Sequence, residues 1–169
     1  MRIGDKKSPI LLKKILITKE HIEQIATKHL IGTTLFITGI RIGAGNSISV
    51  FIDGDQGVGI NDCVSLSRAI ESALDRNAGD FSLDVSSHGA ATPLTMPRQY
   101  PRHLGRDFEI KLNDGSRAEG TLKHCDENGL MLEYSVRENK PLGKGKIAVI
   151  KQQQIAYNQI KESKIKLKF

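Results

Sequence analysis

Residues 47–86 constrain the fold of this chain more strongly than any other stretch. Apolar and polar residues alternate over 47–53 and again over 81–86, and a period of two predicts strands with one buried face. Between these strands, apolar residues recur at the spacing of one helix face (Cys63, Leu66, Ile70 and Ala73). Because a strand face and a helix stripe bury each other, this stretch predicts a small α/β layer.

The connections within the layer carry conformational signals of their own. Asp53–Gly57, DGDQG, supplies residues that accept a tight turn, and Asn61 or Asp62 is suited to cap the start of the helix. Since the helix joins two strands that share one sheet, a right-handed crossover between parallel strands is expected.

A further helix and strand precede this layer. The segment TKEHIEQIATKHLIG predicts a helix that Thr18 caps and Gly32 ends. β-Branched residues over 34–42 predict a strand, and the turn at 43–46 pairs it with 47–53 as a hairpin. The predicted first domain therefore has two helices on one face of a three-stranded sheet.

A change in composition after residue 85 marks a domain boundary. The segment SSHGAATPLTMPRQYPRHLG is rich in Pro and Gly, and Pro97 is suited to begin a short helix. Beyond it, alternating segments separated by turns predict about five strands, the last being IKLKF at 165–169. This number of strands fits a small closed or half-open barrel, either SH3-like or Sm-like.

The predicted fold class is therefore α+β, with an α/β domain followed by a small β-barrel. A chain of 169 residues can form two such small cores. The predicted segments are 1–17, a basic and poorly ordered extension; 18–92, the α/β domain; 93–105, a linker with a short helix; and 106–169, the barrel.

An ordered set of motifs runs through residues 18–165, including GVGINDCVSLSRAIESALD, DVSSHGAATPL and PRQYPRHLGRDFEI. This set resembles the bacterial ribosome maturation factor RimP family, and the matching positions are Asp53, Gly57, Asp62, Cys63, Ser67, Arg68, Val85, Ser86, Ser87, Gly89, Pro93, Leu94 and Gly105. The chain departs from the family pattern at His88, where proline is usual, and at Thr92. The resemblance implies an α/β domain, an SH3/Sm-like barrel and transient binding to the immature small ribosomal subunit. It also implies contact with a ribosomal protein near the decoding region that is inserted late.

Charge is distributed unevenly along the chain. The balance of Lys and Arg against Asp and Glu is +5 over 1–19, −5 over 20–97, −1 over 98–136 and +7 over 137–169, for a net charge of +6. An acidic middle suits a basic protein, and a basic end suits phosphate. The alternative is that the basic ends are solvated tails that maintain solubility.

Several classes of protein are disfavoured by composition. No apolar run approaches the ~20 residues that a membrane helix requires, and the run Ile10–Leu12 is too short for a secretion signal. Cys63 and Cys125 fall in different predicted domains, so a disulfide is not expected. These features favour a cytoplasmic location.

Motifs for catalysis or metal binding are incomplete. Asp53–Asp55 begins like a calcium loop, but Val64 occupies the position of the bidentate Glu. Other candidate ligands match no zinc spacing (His103, His124 and Cys125). Ser86, Ser87 and His88 suggest a serine hydrolase, but strand neighbours face opposite sides and no nucleophile elbow presents the serine. We therefore predict no enzyme activity, no cofactor and no metal site, with the hydrolase as an alternative.

Two sets of binding residues are predicted. Arg68 lies opposite the apolar stripe of its helix, where it forms an exposed pair with Glu71 or contacts a partner. Together with the resemblance, this predicts partner binding by Asp53, Asp55, Asp62, Arg68, Ser86, Ser87, Pro93 and Arg98. Lysines, which contact phosphate without reading sequence, predict contacts with the RNA backbone at Lys140, Lys144, Lys146, Lys151, Lys161, Lys164, Lys166 and Lys168.

These features predict a non-enzymatic assembly factor for the small (30S) ribosomal subunit. Its basic end would bind the rRNA backbone and its acidic middle a basic ribosomal protein, as a monomer that uses no membrane and no small-molecule substrate. Besides the hydrolase, the alternative is a general RNA-binding regulator that uses an Sm-like barrel alone, for which a ring oligomer would be the sign.

Overall fold

The structure, a computed structural model, describes residues 17–74 and 79–167. The chain divides into two compact units between His88 and Gly89, which we call unit 1 and unit 2. Most of the predicted N-terminal extension, residues 1–16, and the predicted RNA contact Lys168 lie outside the described residues.

Unit 1 consists of two helices and a three-stranded sheet. Its elements are α1 (Lys19–Leu30), β1 (Leu35–Gly43), β2 (Ser47–Gly54), α2 (Ile60–Ala73) and β3 (Ser82–Ser87). The strand order is β1-β2-β3, in which β1 pairs with β2 antiparallel and β3 pairs with β2 parallel. The predicted hairpin and the predicted parallel crossover are both confirmed.

Both helices pack on the same face of this sheet. Ile48, Val50 and Ile52 of β2 are buried in one cluster with α1 and α2, whose contributions are Ile22, Ala26, Leu30, Leu66 and Ile70. Burying a side chain of this size contributes about 1.5–3 kcal/mol, so the two periodic patterns together account for the layer. The predicted cap is also present, since Thr18 Oγ1 accepts the N–H of His21 at 3.2 Å.

The two ends of α2 differ from the prediction. The helix begins at Ile60 with Gly59 as its N-cap, so neither Asn61 nor Asp62 is the cap. Asp62 instead occupies the third helical position, where its carboxylate accepts the N–H of Gly59 at 2.8 Å. That hydrogen bond satisfies a backbone donor at the helix start, and the helix therefore begins earlier in the sequence than predicted. At the other end Ala73 is exposed, and Leu74 is buried in its place.

Unit 2 consists of a five-stranded antiparallel sheet preceded by two 3-10 turns, Pro97–Gln99 and Pro101–His103. Its strands are β4 (Asp107–Leu112), β5 (Arg117–Cys125), β6 (Gly129–Asn139), β7 (Lys146–Ala156) and β8 (Ile160–Ile165). The order is β7-β6-β5-β4-β8, so β7 and β8 are the edges and, in the described part of the chain, no strand pairing closes the sheet. The number of strands is confirmed, whereas an SH3-like or Sm-like barrel stays a prediction.

The last strand lies earlier than predicted. It spans Ile160–Ile165, because β8 pairs with β4 through Phe108 opposite Ile165 and Ile110 opposite Ser163. Of the predicted strand at 165–169, residues 166 and 167 are not in a strand, and residues 168 and 169 lie outside the described residues. The alternation in IKLKF pointed to the C-terminus, but pairing with a neighbour determines where a strand runs. The core of this unit gathers Phe108, Ile110, Leu122, Leu132, Ile155 and Ile165.

Candidate functional site

The ends of β2 and β3 meet at one edge of the sheet in unit 1. Because these strands are parallel, Phe51 lies opposite Ser86 and Ile52 lies opposite Ser87. The backbone N–H of His88 then donates to the carbonyl of Ile52 at 2.8 Å. We call residues 53–62 and 86–88 the carboxyl edge. In open α/β sheets this is the side at which ligands bind.

A turn fixed by backbone contacts follows β2. The N–H of Gly57 donates to the carbonyl of Gly54 at 3.0 Å, and the N–H of Asp55 donates to Thr34 at 3.0 Å. A Cβ on Gly54 would overlap the carbonyl oxygen of Gly57, so this position requires glycine. Asp53 is only 3% exposed and its carboxylate accepts the N–H of Gly54 at 2.9 Å. Asp53 therefore supports the turn from beneath and offers a partner almost no surface.

Asp55 lies in the turn after β2 and Asp62 in the first turn of α2, a helix that also carries exposed aliphatic side chains. Ile31, Ile60 and Val64 are 75%, 83% and 41% exposed, and we call them the aliphatic patch. Ile60 and Val64 are one turn apart on α2. The end of α1 is joined to the start of α2 by a hydrogen bond of 3.1 Å between a ring nitrogen of His29 and Ser65 Oγ.

The binding residues predicted from the sequence include the carboxylates but not the aliphatic patch. Ile60, Val64 and Arg68 recur every four residues, which places them on one side of α2 away from the buried Leu66 and Ile70. This second stripe could have been found in the sequence, because α2 already has one apolar stripe for burial and the additional apolar residues must then be exposed. Exposed apolar residues with a polar rim mark interaction sites.

His88 connects the end of β3 with β1. Its Nδ1 atom lies 2.9 Å from Thr38 Oγ1, at the bulge where the pairing of β1 with β2 shifts register. Thr38 also donates to the carbonyl of Phe51 at 3.3 Å. A proline at position 88 would lack the N–H that bonds Ile52, so the histidine changes how this loop is held. The ring contact is with a threonine of the sheet, which gives no support to a Ser–His hydrolase pair.

The eight predicted RNA contacts differ in their surroundings. Of the seven that lie among the described residues, three form ion pairs: Lys164 with Glu162 at 3.3 Å, Lys166 with Glu119 at 3.4 Å, and Lys151 with Glu138 at 2.7 Å. Hydrogen bonds from Lys111 and Lys164 hold the pKa of Glu162 below its usual value. Further pairs join neighbouring strands (Lys111–Glu162, Arg117–Glu109 and Lys123–Glu133). Much of the charge on this sheet is thus neutralised locally.

Exposed cations concentrate instead on a hairpin. Pairing of β5 with β6 ends where Thr121 meets Glu133, but β6 and β7 continue to pair from Tyr134 opposite Lys151 to Asn139 opposite Lys146. We call residues 134–151 the hairpin arm. It contains five cations (Arg137, Lys140, Lys144, Lys146 and Lys151) and one acidic residue, Glu138. Among the described residues of 137–167, four of the five cations without an ion pair lie on the arm, and the fifth is Lys161.

Known proteins resemble this chain along most of its length. A family model for the RimP N-terminal domain matches residues 33–91. The ribosome maturation factor RimP of Christiangramia forsetii is 41% identical over 152 residues, 89% of this chain and 99% of the relative. The RimP of Flavobacterium psychrophilum is 37% identical over 145 residues, 86% and 92% of the two chains. That of Porphyromonas gingivalis is 36% identical over 128 residues, 76% and 84%. The chain belongs to the RimP family.

The family assignment confirms the predicted resemblance. In this RimP-family chain the matched residues 33–91 include β1, β2, α2, β3 and the whole carboxyl edge. The predicted contacts Asp53, Asp55, Asp62, Ser86 and Ser87 all belong to that edge, and Arg68 lies two turns into α2. Pro93 and Arg98 belong to unit 2, with Arg98 in the first 3-10 turn.

The thiols of this RimP-family chain are not activated. Burial is the main cause that raises the pKa of Cys63, and the charge of Asp62 adds to it. Burial likewise raises the pKa of Cys125. A raised pKa favours the unreactive thiol over the thiolate. Across residues 17–74 and 79–167, no group of three or more His, Cys, Asp and Glu could hold a metal ion, and no helix is long and apolar enough to cross a bilayer.

Proposed function

We propose that this chain is a ribosome maturation factor that binds the immature small (30S) subunit in the cytoplasm, as a monomer and without catalysing a reaction. Its relatives are named ribosome maturation factor RimP, and one of them is covered over 99% of its length. Binding of this kind needs complementary surfaces and no reactive centre. The carboxyl edge and the hairpin arm are the two surfaces that support the proposal.

The observation that carries the protein contact is the exposure of the aliphatic patch, two of whose residues stand on α2, the helix that begins at the carboxyl edge. Ile60 and Val64 would supply apolar surface to be buried against the partner, because the removal of such surface from water is favourable. Asp55 and Asp62 would select a basic partner and speed its approach. Residues 20–97 carry a net charge of −5, which favours the same choice. A basic ribosomal protein fits both properties.

The hairpin arm would contact rRNA. Lys140, Lys144 and Lys146 are exposed point charges, and such groups bind phosphate with little dependence on sequence. Weak contacts through charge suit a factor that must leave the completed subunit. Among the other predicted contacts, Lys161 is exposed and joins this proposal, whereas Lys151, Lys164 and Lys166 would have to exchange a carboxylate for a phosphate.

Sedimentation with ribosomal particles tests this function. We expect the tagged chain to sediment with immature or free small subunits at low salt and to be released at high salt. The double variant Ile60→Ser, Val64→Ser should weaken association about tenfold or more, since two apolar anchors are removed. Leu104→Ser changes an exposed aliphatic residue of unit 2 and serves as the matched control. Equal binding to mature 70S particles would contradict the proposal.

Light scattering distinguishes the Sm-like alternative. The order of the five strands leaves β7 and β8 as edges, and such edges can pair between copies. A monomer agrees with an assembly factor that uses both units. A ring oligomer that binds RNA but not subunits would replace the proposal with a general RNA-binding regulator.

A further inference from the structure

The hairpin arm separates from the central strands as a two-stranded ribbon, and at its base Tyr134, Ser135 and Ile150 line a cavity with Glu119 and Gly120 of β5. Six residue pairs, from Tyr134–Lys151 to Asn139–Lys146, continue past the last pair of β5 with β6. At about 3.4 Å per residue, these pairs extend the ribbon by roughly 17 Å. The tip is closed by the N–H of Lys140, which donates to the carbonyl of Gly145 at 3.1 Å.

An apolar residue stands at the tip of the ribbon. Leu142 is 88% exposed, between Pro141 and Gly143. Gly143 and Gly145 have φ of 85° and 104°, values that L side chains rarely adopt, so the tip is a defined turn. Leu142 thus buries almost nothing within this chain. An apolar side chain held in water by a closed turn is available for a contact outside the molecule.

The charge of the arm specifies the chemistry of that contact. Residues 134–151 carry a net charge of +4, and their single acidic residue, Glu138, is paired with Lys151 at 2.7 Å. The cations nearest the tip are Lys140, Lys144 and Lys146, which surround Leu142 on both sides in sequence. Clustered cations that flank one apolar side chain complement a polyanion with accessible apolar surface, and this describes RNA.

We propose that the hairpin arm lies along the backbone of a folded RNA and inserts Leu142 where the RNA helix is interrupted. Apolar wedges in nucleic-acid-binding proteins enter between base steps, and the unstacking that they require costs least where bases are already unpaired. A bulge or junction supplies such a step, while regular A-form RNA keeps its bases stacked. The inference rests on the proposed function, since rRNA is the RNA in question.

The placement of the other apolar residues favours RNA over a lipid surface. Ile147 and Ile150 are both exposed, and they are separated by three positions along β7. Alternate residues of a strand face opposite sides, so these two side chains lie on different faces of the ribbon. A segment that rests on a membrane needs one continuous apolar face. The arm has only its tip in common with such a segment.

Fluorescence anisotropy with two RNA hairpins tests the wedge. The hairpins have equal length, one fully paired and the other with a two-nucleotide bulge. The full-length chain should prefer the bulged hairpin, and Leu142→Ala should reduce that preference about five- to tenfold without changing the salt dependence. Leu142→Met, which keeps the apolar volume, should retain it. A preference that is absent from the wild type, or unchanged in Leu142→Ala, would overturn the proposal.

The lysines are tested by their salt dependence. Replacing Lys140, Lys144 and Lys146 with Gln should make the negative slope of log K against log salt shallower by about 2–3, because each phosphate contact contributes about 0.7–0.9 to its magnitude. The matched control replaces Lys123, Lys164 and Lys166, which are ion-paired on the sheet, with Gln. Both variants lose three charges, yet the control slope should change by less than about 1. Equal slopes would mean that the arm has no special role.

Two further measurements separate this inference from the function on which it rests. If the arm variants bind immature subunits as tightly as the wild type, the proposed role of the arm is wrong while the maturation function stands. If the wild type distinguishes the hairpins but binds no subunit, the arm is supported and the function fails. Vesicles of anionic lipid are the last probe: loss of vesicle binding in Leu142→Ala, with RNA binding unchanged, would assign the tip to membranes and overturn the proposal.

Discussion

The carboxyl edge of unit 1 and the hairpin arm of unit 2 present exposed residues in opposite ways. Ile60 and Val64 stand on a helix whose other side, with Leu66 and Ile70, is fully buried. Leu142 stands at the end of two strands that, among the described residues, pair with no third strand along residues 134–139. A surface supported by a core presents one fixed shape, whereas a thin ribbon adapts to its partner.

The same two regions differ in how charge is used. The carboxylates of Asp53 and Asp62 are hydrogen-bonded to backbone N–H groups of the turn and helix start, so part of their role is structural. In unit 2 the division runs between lysines. Lys164 and Lys166 form ion pairs with Glu162 of β8 and Glu119 of β5, whereas the described lysines near the arm tip form none. Net charge along a segment therefore overstates the charge that a partner meets.

The largest expected effect comes from a substitution in the core of unit 1, on the buried side of α2. Leu66 is fully buried, so Leu66→Ala should lower the free energy of unfolding of unit 1 by about 2–5 kcal/mol. Urea denaturation separates the units, because α1 and α2 lie in unit 1 while all three tyrosines lie in unit 2. We expect the helical circular-dichroism transition to move and the tyrosine-fluorescence transition to stay.

Leu132→Ala, which empties a buried site in unit 2, is the reciprocal control and should move the tyrosine transition instead. If either variant moves both transitions equally, the division between His88 and Gly89 does not separate folding units. In that case the predicted domain ranges, 18–92 and 106–169, would have to be abandoned. The comparison between a supported edge and a free arm would then lose its basis.

A smaller effect is expected from the turn that shapes the edge. Gly54→Ala places a methyl group against the backbone of Gly57 and close to Leu35, so the turn must shift, and we expect a loss of about 2 kcal/mol. Gly59→Ala is the matched control, because its Cβ would meet only Asp62 at an ordinary 3.5 Å. Thermal denaturation gives the stabilities, and subunit sedimentation shows whether the edge has changed shape. Equal effects of the two variants would show that the turn does not need glycine at position 54.

Much of unit 1 follows from patterns that local physics produces. The cap by Thr18, the hairpin and the crossover follow from capping chemistry, turn residues and a period of two, because each depends on residues close in sequence. The start of α2 does not, since Asp62 was read as a cap whereas its side chain reaches back to Gly59. Both roles use the same residue types, so composition alone cannot separate them.

The candidate sites were less accessible from the sequence for a different reason. Whether a lysine is available depends on which carboxylate lies beside it, and Lys166 pairs with Glu119, 47 residues away. That pairing is fixed by the register of several strands, which the sequence does not specify. The extent of the arm likewise depends on where β5 stops pairing with β6. The position of IKLKF failed as a prediction for the same reason.

Tyr157, which follows β7 in unit 2, allows a test that depends on pH. The Tyr157 hydroxyl donates to the carbonyl of Asp126 at 2.8 Å, and burial raises the pKa of Tyr157 to about 12. Because the folded-state pKa lies above the unfolded value of about 10, this stabilisation is complete below pH 10 and is lost as pH rises through about 12. Tyr157→Phe should cost about 1 kcal/mol at neutral pH by removing the hydrogen bond.

Absorbance of tyrosinate should show a titration step near pH 12 that disappears in Tyr157→Phe. Urea denaturation at about pH 9 and about pH 11 should show a smaller loss of stability in the variant than in the wild type. The result sharpens the comparison, because it measures how much this hydrogen bond stabilises the sheet of unit 2, from which the arm extends. An identical pH dependence in the two proteins would mean that the pKa of Tyr157 is the same in the folded and the unfolded chain.

The smallest effect concerns the contact that fixes the far side of the carboxyl edge. His88→Ala removes the bond of 2.9 Å to Thr38 while keeping the backbone N–H that donates to Ile52, so we expect a loss of about 0.5–1 kcal/mol. His88→Pro removes the backbone donor as well and should cost more. A double-mutant cycle with Thr38→Val isolates the side-chain pair, with an expected coupling of about 0.5 kcal/mol. Because the ring contacts the sheet, binding to immature subunits should persist in His88→Ala. Loss of binding at unchanged stability would make His88 a contact residue, and the binding surface would then include the side of the carboxyl edge next to β1.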